Sequence, residues 1–115
     1  MFYDLSQIQE FLKELSLFNS LDDSQIQQIA SLFTIQSKGP DELIVVEGEP
    51  GDNFYLIFNG QVAVSERVND QDAYLDILEE GDFFGEEPLL LHRLRSTSAR
   101  AISPVVLLTT TAEFF

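Results

Sequence analysis

The chain has 115 residues and a formal net charge of −14 at pH 7, because 20 Asp and Glu outweigh six Lys and Arg. This length is typical of a single domain, and 44% hydrophobic residues suffice for a core without cross-links. The charge argues against direct binding to nucleic acid or anionic membranes, and the absence of cysteine excludes disulfides and thiolate metal sites.

The N-terminus lacks a basic, apolar leader, and no run approaches the roughly 18 apolar residues of a membrane span. We therefore expect a cytoplasmic protein. Two helices are predicted first. In residues 4–15 apolar residues recur at helical spacing, and Asp4 or Ser6 can cap the first turn. In residues 22–33, Asp22 and Gln25 have the spacing of a capping box. These helices form an expected N-terminal segment of residues 1–33.

From Thr34 the period of the apolar residues changes to two, and about eight short strands are predicted between Thr34 and Thr110. Asn59-Gly60 separates two of them, and because both residues tolerate positive φ, the pair predicts a β-hairpin. The following VNDQD segment is predicted to be a polar loop. Strands at intervals of roughly 8–12 residues are typical of a β-sandwich or barrel.

Thr110 and Glu113 again have capping-box spacing, which predicts that a helix begins at Thr110. The sequence ends two residues after Glu113, and a helix of less than one turn is not stable alone. We therefore expect the chain to be a fragment of a longer one.

Residues 84–101, FGEEPLLLHRLRSTSARA, hold three of the six Lys and Arg residues and the single His. Gly85 permits positive φ or a close approach of the backbone, and Pro88 suits the first turn of a short helix whose N–H groups can face an anion. Arg95 supplies a planar guanidinium that matches phosphate, and two hydroxyl residues follow it. Glu86 cannot bind an anion and should accept hydrogen bonds from sugar hydroxyls. The pattern suits a ligand with one phosphate and one hydroxyl.

Two motifs resemble those of the cyclic nucleotide-binding domain family, as in protein kinase A regulatory subunits, cyclic-nucleotide-gated channels and the bacterial catabolite activator protein. The first motif is FFGEEPLLLHRLRSTSARA, which resembles the phosphate-binding cassette and has the kinase-type step of ten residues from Gly85 to Arg95. The second motif is GEPGDNFYLIFNGQVAV, which resembles the family's glycine-rich strand signature. The resemblance implies that Arg95 binds the cyclic phosphate and Glu86 the ribose 2′-hydroxyl. The expected ligand-binding residues are Gly85, Glu86, Glu87, Pro88, Leu89, Arg95, Ser96 and Thr97.

The resemblance implies a mainly β fold with flanking helices. Residues 34–115 would form an antiparallel double-stranded β-helix, a β-roll of the jelly-roll type. Two N-terminal helices precede it, a short phosphate-binding helix lies within it, and its C-terminal lid helices are truncated. It also implies a regulatory sensor of cAMP or cGMP, without a cofactor or metal, whose effector lies beyond residue 115 or on a partner protein.

No nucleophile elbow, Walker loop or His-rich metal site is visible in the sequence, so we expect no enzymatic activity. The alternative is a degenerate domain of the same fold that binds no nucleotide and acts as an interaction or dimerisation module. The choice of base and the formation of a homodimer stay open.

Overall fold

The computed structural model describes residues 4–51, 53–85 and 94–111. The chain divides into two compact units, Met1–Thr34 and Ile35–Phe115. The helical elements are α1 (Leu5–Lys13), a 3₁₀ turn (Ser16–Phe18) and α2 (Asp23–Ala30). The strands are β1 (Thr34–Lys38), β2 (Leu43–Val45), β3 (Asn53–Asn59), β4 (Val62–Val68), β5 (Gln71–Leu78), β6 (Phe83–Phe84), β7 (Ser98–Ala101) and β8 (Val105–Thr111).

α1 begins after Asp4, one of its two predicted capping residues, and α2 begins after Asp22, as its predicted capping box requires. Asp4 accepts a hydrogen bond from the Gln7 N–H at 2.9 Å, and the Gln7 side chain accepts one from the Asp4 N–H at 2.9 Å. Asp22 and Gln25 repeat the arrangement at 2.8 and 3.0 Å. Each box satisfies N–H groups that the first helical turn leaves without partners, which explains the sharp starts.

The helices end earlier than predicted, at Lys13 and Ala30 rather than at residues 15 and 33. Leu15 is extended, with ψ of 131°, and leads into the 3₁₀ turn.

The Lys13 ammonium contacts the carboxylate of Asp23 at 3.0 Å, and this contact raises the pKa of Lys13. Within the described residues, no helix is both long and apolar enough to span a bilayer.

The strands form two four-stranded antiparallel sheets. Sheet A has the order β1-β8-β3-β6 and sheet B the order β2-β7-β4-β5. The apolar residues of their facing sides make one buried cluster, namely Val45, Tyr55, Ile57, Val62, Phe84, Ala99, Ala101, Val105 and Leu107. This is the predicted antiparallel β-roll, and the prediction of a mainly β fold with two N-terminal helices is confirmed.

The predicted hairpin at Asn59-Gly60 is wrong. β3 pairs with β6 and β8, whereas β4 pairs with β5 and β7, so the turn carries the chain from sheet A to sheet B. Gly60 has φ of +101°, and a Cβ there would lie 2.4 Å from the Pro104 carbonyl oxygen. Glycine is therefore required by a close backbone crossing at a corner, not by a tight hairpin turn.

The two-residue hairpin lies instead in the segment predicted as a polar loop. Val68 of β4 pairs with Gln71 of β5, which leaves only Asn69 and Asp70 between the strands. Their φ values are +53° and +65°, as a type I′ turn requires, and Asn and Asp tolerate this region better than most residues.

The helix predicted to begin at Thr110 does not do so, because Thr110 and Thr111 belong to β8. The Thr110 side chain is buried, and within the described residues its hydroxyl has no hydrogen-bond partner. Pairing with Phe54 of β3 holds this residue in the sheet. The predicted short helix after Gly85 falls on residues 86–93, which lie outside the described residues.

Candidate functional site

A cavity of about 220 Å³ lies between β6 and the inner face of sheet B. It contains four of the eight predicted ligand-binding residues, Gly85, Arg95, Ser96 and Thr97. The rest of its wall consists of Val45, Val64, Asp76, Leu78, Phe83, Phe84 and Ala99. The fold thus brings residues from both ends of the cassette to one apolar cavity with a few polar groups, which is the usual composition of a small-molecule site.

The Arg95 side chain is the main electrostatic feature of this cavity. The residue is only 7% exposed, and one guanidinium nitrogen, Nη2, donates to the main-chain oxygen of Asn53 at 3.0 Å. Among the described residues, no carboxylate forms an ion pair with it. A guanidinium has five N–H donors, and the bond to Asn53 uses one of them. Such donors match an anionic ligand.

Main-chain hydrogen bonds fix the position of Arg95. Its N–H donates to the carbonyl of Glu49 at 2.9 Å, and its own carbonyl accepts from the N–H of Gly48 at 2.8 Å. These two residues belong to the loop that follows β2, so Arg95 is held at the β2 side of sheet B. These bonds fix the backbone of Arg95, and the bond from Nη2 to the Asn53 oxygen orients its guanidinium. A group held in place in this way loses less entropy on binding.

Gly85 allows Arg95 to pack against the end of β6. Its φ is +86°, and an added Cβ would lie 3.1 Å from Arg95 Nη1, 3.1 Å from the Asn53 oxygen and 3.3 Å from Tyr55 Cδ2. The prediction that Gly85 provides positive φ and a close approach is confirmed. Its contact with a ligand stays a prediction.

Stacked aromatic rings support the floor beneath Gly85. The Tyr55 and Phe84 rings lie 5.1 Å apart between centroids with an interplanar angle of 12°. The same two residues pair in the β3–β6 ladder. Because β6 has only two residues, this stack supplements a short ladder and stabilises the backbone that leads into the cassette.

The remaining predicted residues fall into two groups. Ser96 is exposed and Thr97 half-buried, both at the cavity wall, but no hydrogen bond of their hydroxyls links them to Arg95. Glu86, Glu87, Pro88 and Leu89 lie outside the described residues, so their roles stay predictions. The described residues also contain no group of three or more His, Cys, Asp or Glu placed to hold a metal ion.

Sequence reasoning missed Asp76, an exposed residue of β5 at the wall of the cavity. The weak signal was the alternation in AYLDIL, in which Asp76 lies two residues before the inward Leu78. The pairing partner that confirms this orientation is Val64 of β4, and pairing across a bulge cannot be read from the sequence.

Comparison with known proteins places these features in a family. The model of the family described as "Cyclic nucleotide-binding domain" matches residues 35–115. The cGMP-dependent protein kinase egl-4 of Caenorhabditis elegans is 34% identical over 113 residues, which cover 96% of this chain and 14% of that kinase. The chain therefore spans a small part of the length of the curated relatives that it matches.

Solved structures show the same architecture. The regulatory domain of Toxoplasma gondii PKA, crystallised with cAMP, superimposes with a TM-score of 0.90 at 21% identity, over 96% of this chain and 43% of that chain. The EAL enzyme Bd1971 in its cGMP-bound form gives a TM-score of 0.68 at 34% identity, over 70% of this chain and 22% of that chain. The first match shows the fold alone, and it agrees with the β-roll of sheets A and B.

Proposed function

This chain belongs to the cyclic nucleotide-binding domain family, and from that premise we propose that it binds a cyclic mononucleotide in the cavity beside Arg95 and regulates an effector. The observation that carries this proposal is the buried Arg95 guanidinium, which faces the cavity without a carboxylate partner among the described residues. A cyclic phosphate carries one negative charge, and a guanidinium matches phosphate oxygens in charge and geometry.

The nucleotide is proposed to lie along the inner face of sheet B. With the phosphate at Arg95, the sugar and base extend along the inner face of sheet B, over the apolar side chains of Val64 and Leu78. Glu86 is proposed to accept the ribose 2′-hydroxyl, as the resemblance to the family's cassette implies. A carboxylate bond to a hydroxyl is charge-assisted and would help to select a ribonucleotide.

We propose a regulatory role without catalysis, in the cytoplasm. The named relative is a kinase, of which this chain matches only 14%, so the effector is proposed to be another domain or a partner protein. Binding alone does not signal: the nucleotide must favour one of two conformations of the longer protein by differential affinity. The relatives differ in ligand, since one is a cGMP-dependent kinase and another structure holds cAMP.

Calorimetric titration with cAMP and with cGMP tests the proposal. Arg95→Ala should cost about 2–3 kcal/mol, the scale of a hydrogen bond to a charged group, which is a loss of roughly 30- to 150-fold in affinity. Arg100→Ala is the matched control. It removes the same charge from β7, but Arg100 lies outside the cavity lining and donates to the main-chain oxygen of Asp41 at 2.6 Å.

The result has a clear reading in each case. Tight binding by the wild type and Arg100→Ala, with a large loss in Arg95→Ala, supports the site. Equal affinity of all three proteins would show that the phosphate binds elsewhere. No binding of either nucleotide by the folded wild type would favour the ligand-free interaction module instead.

A further inference from the structure

β4 extends past the first residue of β7, so the ladder between these strands ends before β4 does. Ser65 of β4 pairs with Ser98, the first residue of β7. β4 continues to Val68, and the same antiparallel register would place Ser96 opposite Arg67. Ser96 instead lies in a bend outside the strand, at the wall of the cavity.

The Glu47 side chain accepts the hydrogen bond that this ladder position leaves open. Glu47 Oε2 accepts from the main-chain N–H of Arg67 at 2.8 Å. The N–H of Glu47 donates to Ser98 Oγ at 2.9 Å. A hydrogen bond from a main-chain N–H to a carboxylate is charge-assisted and therefore stronger than a neutral one. Glu47 thus links the loop that follows β2 to β4 and β7 at the point where β7 begins.

The same loop holds Arg95 through its main chain. The Arg95 N–H donates to the Glu49 carbonyl at 2.9 Å, and the Arg95 carbonyl accepts from the Gly48 N–H at 2.8 Å. Glu47 directly precedes Gly48 in the chain. The two hydrogen bonds of Glu47 therefore also restrain the main-chain groups that bond to Arg95.

The bend at residues 96–97 decides which face of sheet B the segment lines. Extending β7 in register would place Ser96 on the same face as Ser98, because side chains alternate along a strand. Ser98 lines a groove of about 280 Å³ on the outer face of sheet B, whereas Ser96 lines the cavity. An extended β7 would therefore take this segment away from the ligand site, and it would need the Arg67 N–H that Glu47 occupies.

We propose that Glu47 is a positioning residue for nucleotide binding. By occupying the Arg67 N–H, its carboxylate stops β7 from extending into the cassette and keeps Arg95 at the cavity. Glu47 lines the outer groove rather than the cavity, so it acts on the ligand through the main chain and not by contact. The inference rests on the proposed function, because it concerns the affinity of the same site.

Titration of Glu47 variants with cAMP and cGMP tests the proposal. Glu47→Ala should bind about five- to tenfold more weakly, because it removes a hydrogen bond that restrains the loop. Glu47→Gln should stay within about twofold of the wild type, since its amide oxygen still accepts from the Arg67 N–H. Loss of a negative charge alone would strengthen the binding of an anion, so charge cannot explain a loss in Glu47→Ala.

Glu80→Ala is the matched control for charge. Glu80 is an exposed residue of the turn between β5 and β6, outside the cavity wall. Its removal changes the net charge of the protein as Glu47→Ala does but leaves the loop after β2 intact. This variant should bind at least as tightly as the wild type.

The effect of Glu47 should require Arg95. In the Arg95→Ala background, Glu47→Ala should reduce affinity by about twofold at most, whereas a general weakening of the fold would reduce affinity equally in both backgrounds. Amide exchange without ligand gives a second measurement. The N–H groups of Arg67 and Arg95 should exchange faster in Glu47→Ala than in the wild type, and Glu47→Gln should restore their protection.

The outcomes separate this role from the proposed function. An equal loss in both backgrounds, or unchanged exchange at Arg67 and Arg95, would overturn the role of Glu47 and leave nucleotide binding at Arg95 intact. A loss of affinity in Glu47→Gln as large as that in Glu47→Ala would overturn it as well. Failure of the folded wild type to bind either nucleotide would overturn both.

Discussion

Gly85 and Gly48 offer a controlled test of how the cassette holds its arginine. Their φ values are +86° and +88°, so replacement by alanine imposes nearly the same backbone strain at both positions. A side chain in the left-handed region costs roughly 1–2 kcal/mol. Both variants should lose about this much free energy of unfolding for that reason alone.

The surroundings of the two glycines differ. A Cβ at Gly48 would meet nothing within 4 Å, whereas a Cβ at Gly85 would lie 3.1 Å from Arg95 Nη1 and 3.1 Å from the Asn53 oxygen. These contacts are too short to keep, so the guanidinium must move by a few tenths of an ångström. Overpacking of this kind costs about 1–3 kcal/mol, and we place the additional loss at Gly85 near its lower limit because an arginine side chain can shift.

Urea unfolding and nucleotide titration measure the two effects separately. Gly48→Ala should be destabilised by about 1–2 kcal/mol and retain nucleotide affinity within roughly threefold, because its N–H still bonds to the Arg95 carbonyl. Gly85→Ala should be destabilised by about 2–3 kcal/mol and bind roughly tenfold more weakly, because its Cβ displaces the Arg95 guanidinium, the proposed phosphate-binding group. Identical stability and affinity in the two variants would refute the idea that Gly85 is needed for the packing of Arg95.

Two predictions concern other parts of the chain. Thr110→Val should raise the free energy of unfolding by about 1 kcal/mol, because it replaces a buried hydroxyl that lacks a partner among the described residues. Thr109→Val should lower the free energy of unfolding by about 1 kcal/mol, because the Thr109 hydroxyl donates to the Phe54 carbonyl at 3.1 Å. Urea unfolding measures both, and changes of the same sign would contradict the assignment. The hydrogen bond from the N–H of Gln7 lowers the pKa of Asp4 below its ordinary value of 3.8. The cap therefore stabilises the folded state fully above pH 3.8, and this stabilisation is lost as the pH falls through the lowered pKa. In an acid titration by circular dichroism, Asp4→Asn should lose less of its helix signal than the wild type, and equal losses would count against the cap.

Local interactions were the most predictable from sequence. The capping boxes at Asp4 and Asp22 involve residues three positions apart, so the sequence contains the whole interaction. The box at Asp22 forms as predicted, and Asp4 is the one of the two predicted capping residues that begins α1. The last turns were less predictable, because neither observed end has the Gly or Pro that commonly follows a helix. Apolar spacing continued to Leu15 and Phe33, beyond the observed ends.

Strand pairing was less predictable than the strands themselves. Asn59-Gly60 has the composition of a hairpin turn, but the positive φ of Gly60 serves a crossing against Pro104 and Val105, which lie far away in sequence. Asn69-Asp70 lacks the usual glycine, and it forms the hairpin because β4 and β5 pair on both sides of it. In both cases the decisive partner is not adjacent in the sequence.

In the candidate site, too, local features were predictable from sequence and features that depend on strand pairing were not. Arg95 and Gly85 could be identified because the cassette places them ten positions apart, and the structure brings them into contact. Asp76 could not be identified from the sequence, because the face of β5 on which it lies depends on a bulge opposite Val64 and Ser65. Sequence therefore identified the Arg95 side of the cavity better than its β5 side.

The position of β8 in sheet A has a consequence for synthesis on the ribosome. β8 lies between β1 and β3, although it comes last of the three in the chain, and Asn53 of β3 pairs with Thr111. β4 and β5 can pair as soon as their short turn has left the exit tunnel, whereas β3 gains only a two-residue pairing with β6 before β8 is synthesised. Contacts of such high sequence separation form slowly. Pulse-labelled amide exchange on nascent chains would show this order, and protection of β3 before β4 and β5 would contradict it. Until β8 emerges, sheet A has only the two-residue pairing of β3 with β6 opposite sheet B, so the layered cavity is one of the last features that the growing chain acquires.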